Sequence, residues 1–291
     1  ARLHILVQAL AEILGARFGY LGEAANSVGG YVAQCTPGER GLNAHAMLAS
    51  SLKAYLLLGL EPELDCANPR NAMNAMRAAE FVVALTAYRN RAIEYAHVLL
   101  PIAPFTETSG SFVSTEGRMQ SFNGVVRPLE ETRPAWKVLR VLGNLAGLAR
   151  FEYDASEQIR DEACAPGTVA ARLDNRVSGL ELGQDALAAG GLQRIGDVPI
   201  YFADPIVRRA ESLQNTRDAQ APKAWMNSSL AARLGLKEGG RVKVRQEGGE
   251  AILELACNDR LPADCVRIAA AHPLTAMLGS MFGEITSMER A

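Results

Sequence analysis

Three short apolar runs constrain the fold more than any other feature of this sequence: Ala54–Leu60 (AYLLLGL), Phe81–Ala87 (FVVALTA) and His97–Ala103 (HVLLPIA). Each is far shorter than the ~20 residues a membrane helix needs. Each is also unbroken, whereas a strand with one wet face alternates. Such runs are strands of a parallel sheet buried on both faces. The stretches between them are helical. Asn68 stands as an N-cap before Pro69 at the first helical position, and Arg91–Ala96 makes a short turn of helix before the third run. Strand–helix–strand–short helix–strand predicts an α/β fold. A helix also opens the chain, with Leu3, Leu6, Val7, Leu10, Ile13 and Leu14 at helical spacing and a stop at Gly15. It is expected to cover one face of the sheet.

From Ser111 to Val126 the pattern turns into a polar, hairpin-like ribbon that carries Phe112, Phe122 and Val125 and turns near Glu116-Gly117. Thr132 is expected to cap an amphipathic helix with Pro134 near its start and Trp136, Val138, Leu139, Leu142 and Leu145 along it. Residues 151 to about 195 hold a weaker helix from Ser156 and two Gly-containing connectors, Val177–Gly183 and Gly190-Gly191, and read as an inter-domain region. Asn227 then caps a short helix over 228–234. Arg241–Gln246, Ala251–Cys257 and Cys265–Ala270 follow as strands between Gly and Pro turns, the signature of a compact β-barrel or sandwich. The expected organisation is an α/β domain over 1–150, a connecting region over 151–195 and a β-barrel over 196–291.

Composition narrows the class of function. Of 291 residues 48% are hydrophobic and 21% charged, and the net charge is −2, so a polyanion such as nucleic acid is not an expected partner. Arg89–Arg91 and Arg208-Arg209 are too short for a nucleic-acid stripe and are read as salt-bridge or interface residues. The five cysteines (Cys35, Cys66, Cys164, Cys257, Cys265) are odd in number and scattered, without a Cys-x-x-Cys pair. They indicate no disulfide framework, zinc clip or iron–sulfur site, and they suit a reducing cytosol. The chain opens on Ala1 without a signal-type segment and reads as a piece of a longer protein.

Catalytic motifs are weak. Ala25-Asn-Ser-Val-Gly29 approximates a hydrolase nucleophile elbow, with Ala where the first Gly belongs and no apolar strand leading in. The four histidines (His4, His45, His97, His272) do not pair by spacing with Ser27 or an acid. Glu107, Glu116, Glu130 and Glu131 read as solvated loop charges, and no phosphate-cradling Gly motif occurs. The seam HVLLPIAPFTETSGSFVSTEGRMQ is more informative, because a parallel strand ending at Pro101 delivers its loop to the carboxyl edge of the sheet, where open α/β folds bind ligands. Two readings stand side by side. Gly110 and Gly117 allow close backbone approach and Arg118 meets an anion, or Glu107 and Arg118 only lock the ribbon to the sheet.

His97-Val-Leu-Leu-Pro101, Glu107-Thr-Ser-Gly110, Ser111-Phe-Val-Ser-Thr-Glu-Gly-Arg-Met-Gln120 and Arg133-Pro-Ala-Trp-Lys-Val-Leu139 together resemble the molybdopterin oxidoreductase superfamily, and within it the G-subunit family of bacterial NADH-quinone oxidoreductase, respiratory complex I. Asn227–Val244 resembles the opening of that superfamily's C-terminal six-stranded double-psi barrel. Asp204-Pro-Ile-Val-Arg-Arg209 with Leu213-Gln214 resembles the complex I branch.

The resemblance implies a partial molybdopterin-oxidoreductase-like domain followed by a barrel like those that bind the pterin dinucleotide. It implies a C-terminal scaffold and docking part, not itself catalytic, supporting electron transfer from NADH to quinone coupled to ion translocation. Implied partners are other peripheral-arm subunits of complex I, without nucleic acid or direct membrane insertion, on the cytoplasmic face of the inner membrane. No catalytic or metal-binding residue is expected. The residues implied for a vestigial pterin cleft are Glu107, Gly110, Glu116, Gly117, Arg118, His272 and Thr275. Iron–sulfur clusters belong to the family's N-terminal region, and no cofactor is expected here. Enzymes of the superfamily usually carry Asp at the place of His97 and Asn at that of His272-Pro273. The rival readings are a working molybdopterin enzyme, formate-dehydrogenase-like, in which Glu107, Gly110, Glu116 and Arg118 grip a pterin dinucleotide, and a hydrolase using Ser27.

Overall fold

Helix α1 (Arg2–Leu14) stops at the expected place, and two short helices follow, α2 (Ser27–Val32) and α3 (Ala44–Ala49). The computed structural model describes residues 2–22, 24–39, 41–50, 52–165, 167–177 and 190–291. The apolar runs then form a sheet of order β1-β2-β3 from β1 (Ala54–Leu58), β2 (Phe81–Thr86) and β3 (Val98–Pro101), joined by α4 (Pro62–Asp65) and α5 (Pro69–Ala78). β1 and β2 are parallel, with Ala54 opposite Phe81 and Leu58 opposite Leu85. Helix α5 starts as its sequence dictates. The Asn68 side chain accepts a 3.0 Å hydrogen bond from the Asn71 amide, and Pro69 sits where no donor is needed. Its buried Met73, Ala75 and Met76 pack with Tyr55, Leu57, Val82 and Ala84 of the sheet.

Past β3 the chain makes the ribbon, β4 (Gly110–Val113) antiparallel to β5 (Met119–Phe122), turning through Gly117 at φ +84°. Helix α6 (Ala135–Leu145) comes next, then α7 (Ser156–Ala163) and α8 (Val169–Arg172). Thr132 does not cap α6. Its hydroxyl donates to the Leu129 carbonyl, closing the turn before the helix, and Pro134 takes the N-cap position. Of the connector Val177–Gly183, residues 178–183 lie outside the described residues.

The C-terminal region builds one seven-stranded sheet, in chain order β6 (Leu192–Ile195), helix α9 (Glu211–Gln214), β7 (Lys223–Met226), helix α10 (Ser228–Arg233), β8 (Arg241–Gln246), β9 (Gly249–Cys257), β10 (Cys265–Arg267), β11 (Phe282–Ile285) and β12 (Ser287–Arg290). The spatial order is β11-β6-β10-β7-β9-β8-β12. Its two edge strands, β11 and β12, are joined through Thr286 alone, so the sheet must curl until its edges meet, which makes it a nearly closed barrel. The strand count is seven against the expected six because residues 282–290 pair at both edges, β11 with β6 and β12 with β8. The tight hairpin β8–β9 turns through Glu247 (φ +48°) and Gly248 (φ +77°), the pair of positive φ values a type I′ turn requires. Along β8 and β9 burial alternates residue by residue, placing Val242, Val244, Leu253 and Leu255 in the barrel core with Met226, Val266 and Ile268.

Packing gathers the chain into two units, residues 1–43 with 101–187, and residues 44–100 with 188–291. The second holds the sheet and the barrel, each with its own core. The first is centred on a few side chains, Val32, Val113, Cys164 and Val169. Helix α1 departs from expectation. Leu3, Leu6, Leu10, Ile13 and Leu14 are exposed, while its polar His4 and Gln8 hydrogen-bond to Asn175 and Val177. The strands too are not covered on both faces, since Leu56, Leu58 and Phe81 are exposed and β1 alternates between buried and exposed.

Truncating Leu255 to Ala should lower the free energy of the barrel's unfolding by about 2–5 kcal/mol, whereas Leu14→Ala, at an exposed position, should change stability by less than about 0.5 kcal/mol. Urea titration followed by the fluorescence of Trp225 on β7 reads the first, and far-ultraviolet circular dichroism the second.

Candidate functional site

From Pro101 onward the seam lies in the first unit. Glu107 ends a 3₁₀ turn over Phe105–Glu107, and its Oε2 accepts a 3.0 Å hydrogen bond from the Leu129 amide. The Val125 amide donates to the Thr106 carbonyl beside it, so this acid ties down the loop between β5 and α6. Gly110 opens β4 opposite Phe122, and a Cβ there would stand 2.8 Å from the Phe122 ring. Gly117 is needed for its positive φ, and a Cβ there would also push aside the end of the Leu173 side chain. Glu116 and Arg118 flank it on the ribbon turn. Arg118 fixes the turn through its backbone, donating to Ser114 Oγ and accepting from the Ser114 amide. The polar ribbon face is cross-linked by Ser111 and Ser121, 2.8 Å apart.

His272 and Thr275 lie in the second unit, at the corner before β11. His272 is buried against Phe202, ring centroids 4.5 Å apart. Its Nδ1 accepts from the Leu274 amide at 3.1 Å, which places the proton of the neutral ring on Nε2. Burial pushes its pKa down, so the ring stays neutral. Its carbonyl accepts from the amides of Thr275 and Ala276 and from the Thr275 hydroxyl. His97 has a comparable local role. Its Nδ1 accepts from the Val82 amide at 3.0 Å and its own amide donates to the Val82 carbonyl, binding the start of β3 to β2.

The densest polar cluster is visible to sequence reading on one side only. Arg208 and Arg209, read as salt-bridge residues, meet two acids that no motif marks, Glu61 and Asp65, and Asn90 joins them through Glu61. Arg208 Nη1 lies 2.9 Å from Glu61 Oε2 and its Nη2 2.5 Å from Asp65 Oδ1, while Arg209 Nη2 lies 2.5 Å from Glu61 Oε1. Asn90 donates to the same Glu61 oxygen at 3.0 Å, and the Arg209 guanidinium stands 4.6 Å over the Tyr88 ring. The centre of the cluster is buried, with the side chains of Glu61 and Arg208 3% and 5% exposed, while Arg209 reaches in from the surface at 32%. Burial alone would raise the pKa of Glu61, but the Asn90 hydrogen bond and the two guanidinium groups outweigh it and hold the carboxyl below its ordinary value. Two residues on, burial raises Glu63, whose Oε2 accepts from the Tyr95 hydroxyl. Burial, with Asp65 and Glu63 adding, pushes the Cys66 thiol up to about 11, so it is no nucleophile. The signal available in the sequence is the run Glu61, Glu63, Asp65 immediately after β1, at the carboxyl edge of the sheet.

Two family models match this arrangement, Molybdopterin oxidoreductase over residues 2–145 and Molydopterin dinucleotide binding domain over residues 205–286. The chain carries a molybdopterin oxidoreductase domain match and a molydopterin dinucleotide binding domain match in succession. The probable oxidoreductase YjgC of Bacillus subtilis is 32% identical over 131 residues, 44% of this chain and 13% of its own length. The G subunit of NADH-quinone oxidoreductase from Mycobacterium bovis is 27% identical over 234 residues, 77% of this chain and 28% of its own. Acetylene hydratase from Pelobacter acetylenicus shares the fold, with a TM-score of 0.60 at 16% identity over 92% of this chain and 51% of that one. The chain thus spans from about an eighth to about half of the proteins it resembles.

A pterin dinucleotide is an anion that is gripped by N–H donors and cations. Among the seven cleft candidates only Arg118 is a cation, and Glu116 beside it is an acid. Glu107 and His272 use their acceptor atoms on backbone amides of this chain, and His272 is held neutral. That donor set does not fit the grip. Ser27 is also committed locally, its Oγ accepting from the Ala24 amide, and His4 lies against Phe18 and Tyr20. No group of three or more His, Cys, Asp or Glu among the described residues could hold a metal ion.

Glu61→Gln and Arg208→Met should each destabilise the second unit by about 3–5 kcal/mol, because each strands a buried charge. The pKa of Glu61 is lowered in the fold, so its contribution is present above the ordinary glutamate value of about 4.3 and is lost as pH falls through its folded value. Denaturation curves from neutral to acid pH should therefore converge for the native chain and Glu61→Gln.

Proposed function

We propose that this chain is the C-terminal scaffold and docking part of a G subunit of NADH-quinone oxidoreductase, with the electron path from NADH to quinone running elsewhere in the assembly. The observation that carries the reading is the commitment of the cleft candidates to the chain's own backbone: Glu107 to Leu129, His272 to Leu274. A gripping site keeps such atoms for its ligand, whereas a scaffold uses them to fix loops. The extent of the match to the mycobacterial G subunit, 77% of the chain against 44% for the Bacillus oxidoreductase, supports it. No cofactor is assigned to these residues. The seam then serves as architecture, with Glu107 fastening the loop after the ribbon and Gly117 permitting its turn. Peripheral-arm subunits on the cytoplasmic face of the membrane are the proposed partners. No helix among the described residues is long and apolar enough to cross a membrane.

The test is mass spectrometry of proteins that copurify in mild detergent with the tagged full-length parent from its own membranes, together with release of fluorescent pterin from it. Flavin- and quinone-site subunits in fixed proportion, without pterin, are expected. A parent that purifies alone and releases a pterin would make the seam part of a working molybdopterin site and overturn the reading.

A further inference from the structure

One cavity of the first unit is walled on one side by the seam, from Ser109 to Met119, and on the other by residues that no cleft reading above uses. It has a volume of about 220 Å³ and lies between α2, the ribbon, Trp136 of α6 and the inner face of α7. This is below the ≈300–1,000 Å³ of drug-sized sites, too small for a dinucleotide and suited to a compact molecule. Its α7 wall, from Ser156 to Cys164, lies outside both family-model matches, whereas the rest of the lining falls within residues 2–145.

The chemistry of the lining is one-sided. Its body is apolar, through Val113, Met119 and Ile159, and it contains no carboxylate. Its polar groups are chiefly donors. Ser156 Oγ has Ser109 Oγ at 2.8 Å and Glu157 Oε2 at 3.2 Å, and with its single proton on the shorter bond the Ser109 hydroxyl proton is left for another acceptor. Arg160 pairs with Asp161 through Nε and Nη2, each 2.7 Å from Oδ1, and gives one Nη1 hydrogen to Ser121 at 3.0 Å, which leaves one hydrogen on each Nη of its five N–H groups. Asn26 accepts from the Val113 amide through Oδ1, so its amide nitrogen remains a donor. At the same wall Trp136 Nε1 is buried without a hydrogen-bond partner, an exception among buried donors that an acceptor in the cavity would remove.

We propose that this cavity is a binding site for a small monocarboxylate with a compact apolar body, its carboxylate toward Arg160 and Ser109 and its body against Ile159 and Met119. Trp136 is the reporter. In the ¹⁵N-labelled chain its indole N–H resonance, assigned by its persistence in Trp225→Phe, is followed during titration with sodium benzoate and, separately, with benzyl alcohol. A saturable shift with benzoate is expected. It should weaken roughly tenfold in Arg160→Met, the loss of one charge-assisted contact. Ser109→Ala, which leaves the Arg160 contacts to the ribbon in place, should weaken it in the same direction, and Ile159→Trp should abolish it. Benzyl alcohol binding as tightly as benzoate would overturn the carboxylate assignment. A shift that never saturates, or equal binding in Ile159→Trp, would overturn the site.

Discussion

The second unit is held by a buried ionic knot whose two halves are almost 150 residues apart in the chain. Arg208 and Arg209 reach Glu61 and Asp65 at the end of β1, and Asn90, from the loop after β2, completes the ring. Charges removed from water are tolerable only when each finds partners, and here every oxygen of Glu61 is met by a donor. The knot fixes where the segment before α9 can run, and with it how the chain enters the barrel. A second fastening lies at the other side of the unit, where Asn68 Nδ2 and the Ser280 amide both donate to Glu247 Oε2, Arg70 donates to the Glu247 carbonyl, and the Met281 amide reaches the Ala67 carbonyl. Sheet and barrel are therefore clamped at the N-terminus of α5 and at α4, with apolar cores on either side.

Features set by neighbouring residues are legible in the sequence itself. Asn68-Pro69 announces α5, Asn227 announces α10 through its bond from the Ser229 amide, and Glu247-Gly248 announces the hairpin, because each is a local solution to backbone hydrogen bonding or φ. Thr132 misleads because a Ser or Thr near a helix start has two local partners to choose between, and its hydroxyl goes to Leu129. The barrel is legible as three strands. The remaining four, β6, β7, β11 and β12, are short, with three- or four-residue pairings whose partners lie far along the chain, so no period reveals them. The arginines of the ionic knot stand out as a basic pair. Their acids do not, since an Asp or Glu after a strand is ordinary until something distant binds it.

The units differ in how they spend their apolar residues. In the second, strand alternation puts Val244, Leu255 and Ile268 at zero exposure. In the first, the amphipathic pattern of α1 is fully formed and then turned outward. His4 and Gln8 bond to 175–177 while Ile13 stays 81% exposed. Helix α6 shows the same tendency, with Leu145 at 81%. Periodicity predicts that a helix has an apolar face, and it says nothing about whether the chain supplies the surface to cover it.

In an open α/β sheet the crevice outside the carboxyl ends of the strands is where ligands bind, because loops there can converge polar groups on a common point. The acids after β1 and Asn90 after β2 do converge in this chain. What they converge on is the guanidinium pair of residues 208 and 209, which supplies the positive charge and the hydrogen-bond donors that a ligand would otherwise bring. An arginine fork is rigid, permanently charged and bidentate, so the occupant cannot leave by titration and leaves only with the segment that carries it. A ligand competing for Glu61 would have to replace one buried ion pair, one half-buried ion pair and a cation–π contact with Tyr88. Filling the crevice from within turns a place suited to exchange into a permanent joint, which is the physical content of the scaffold role proposed for this chain.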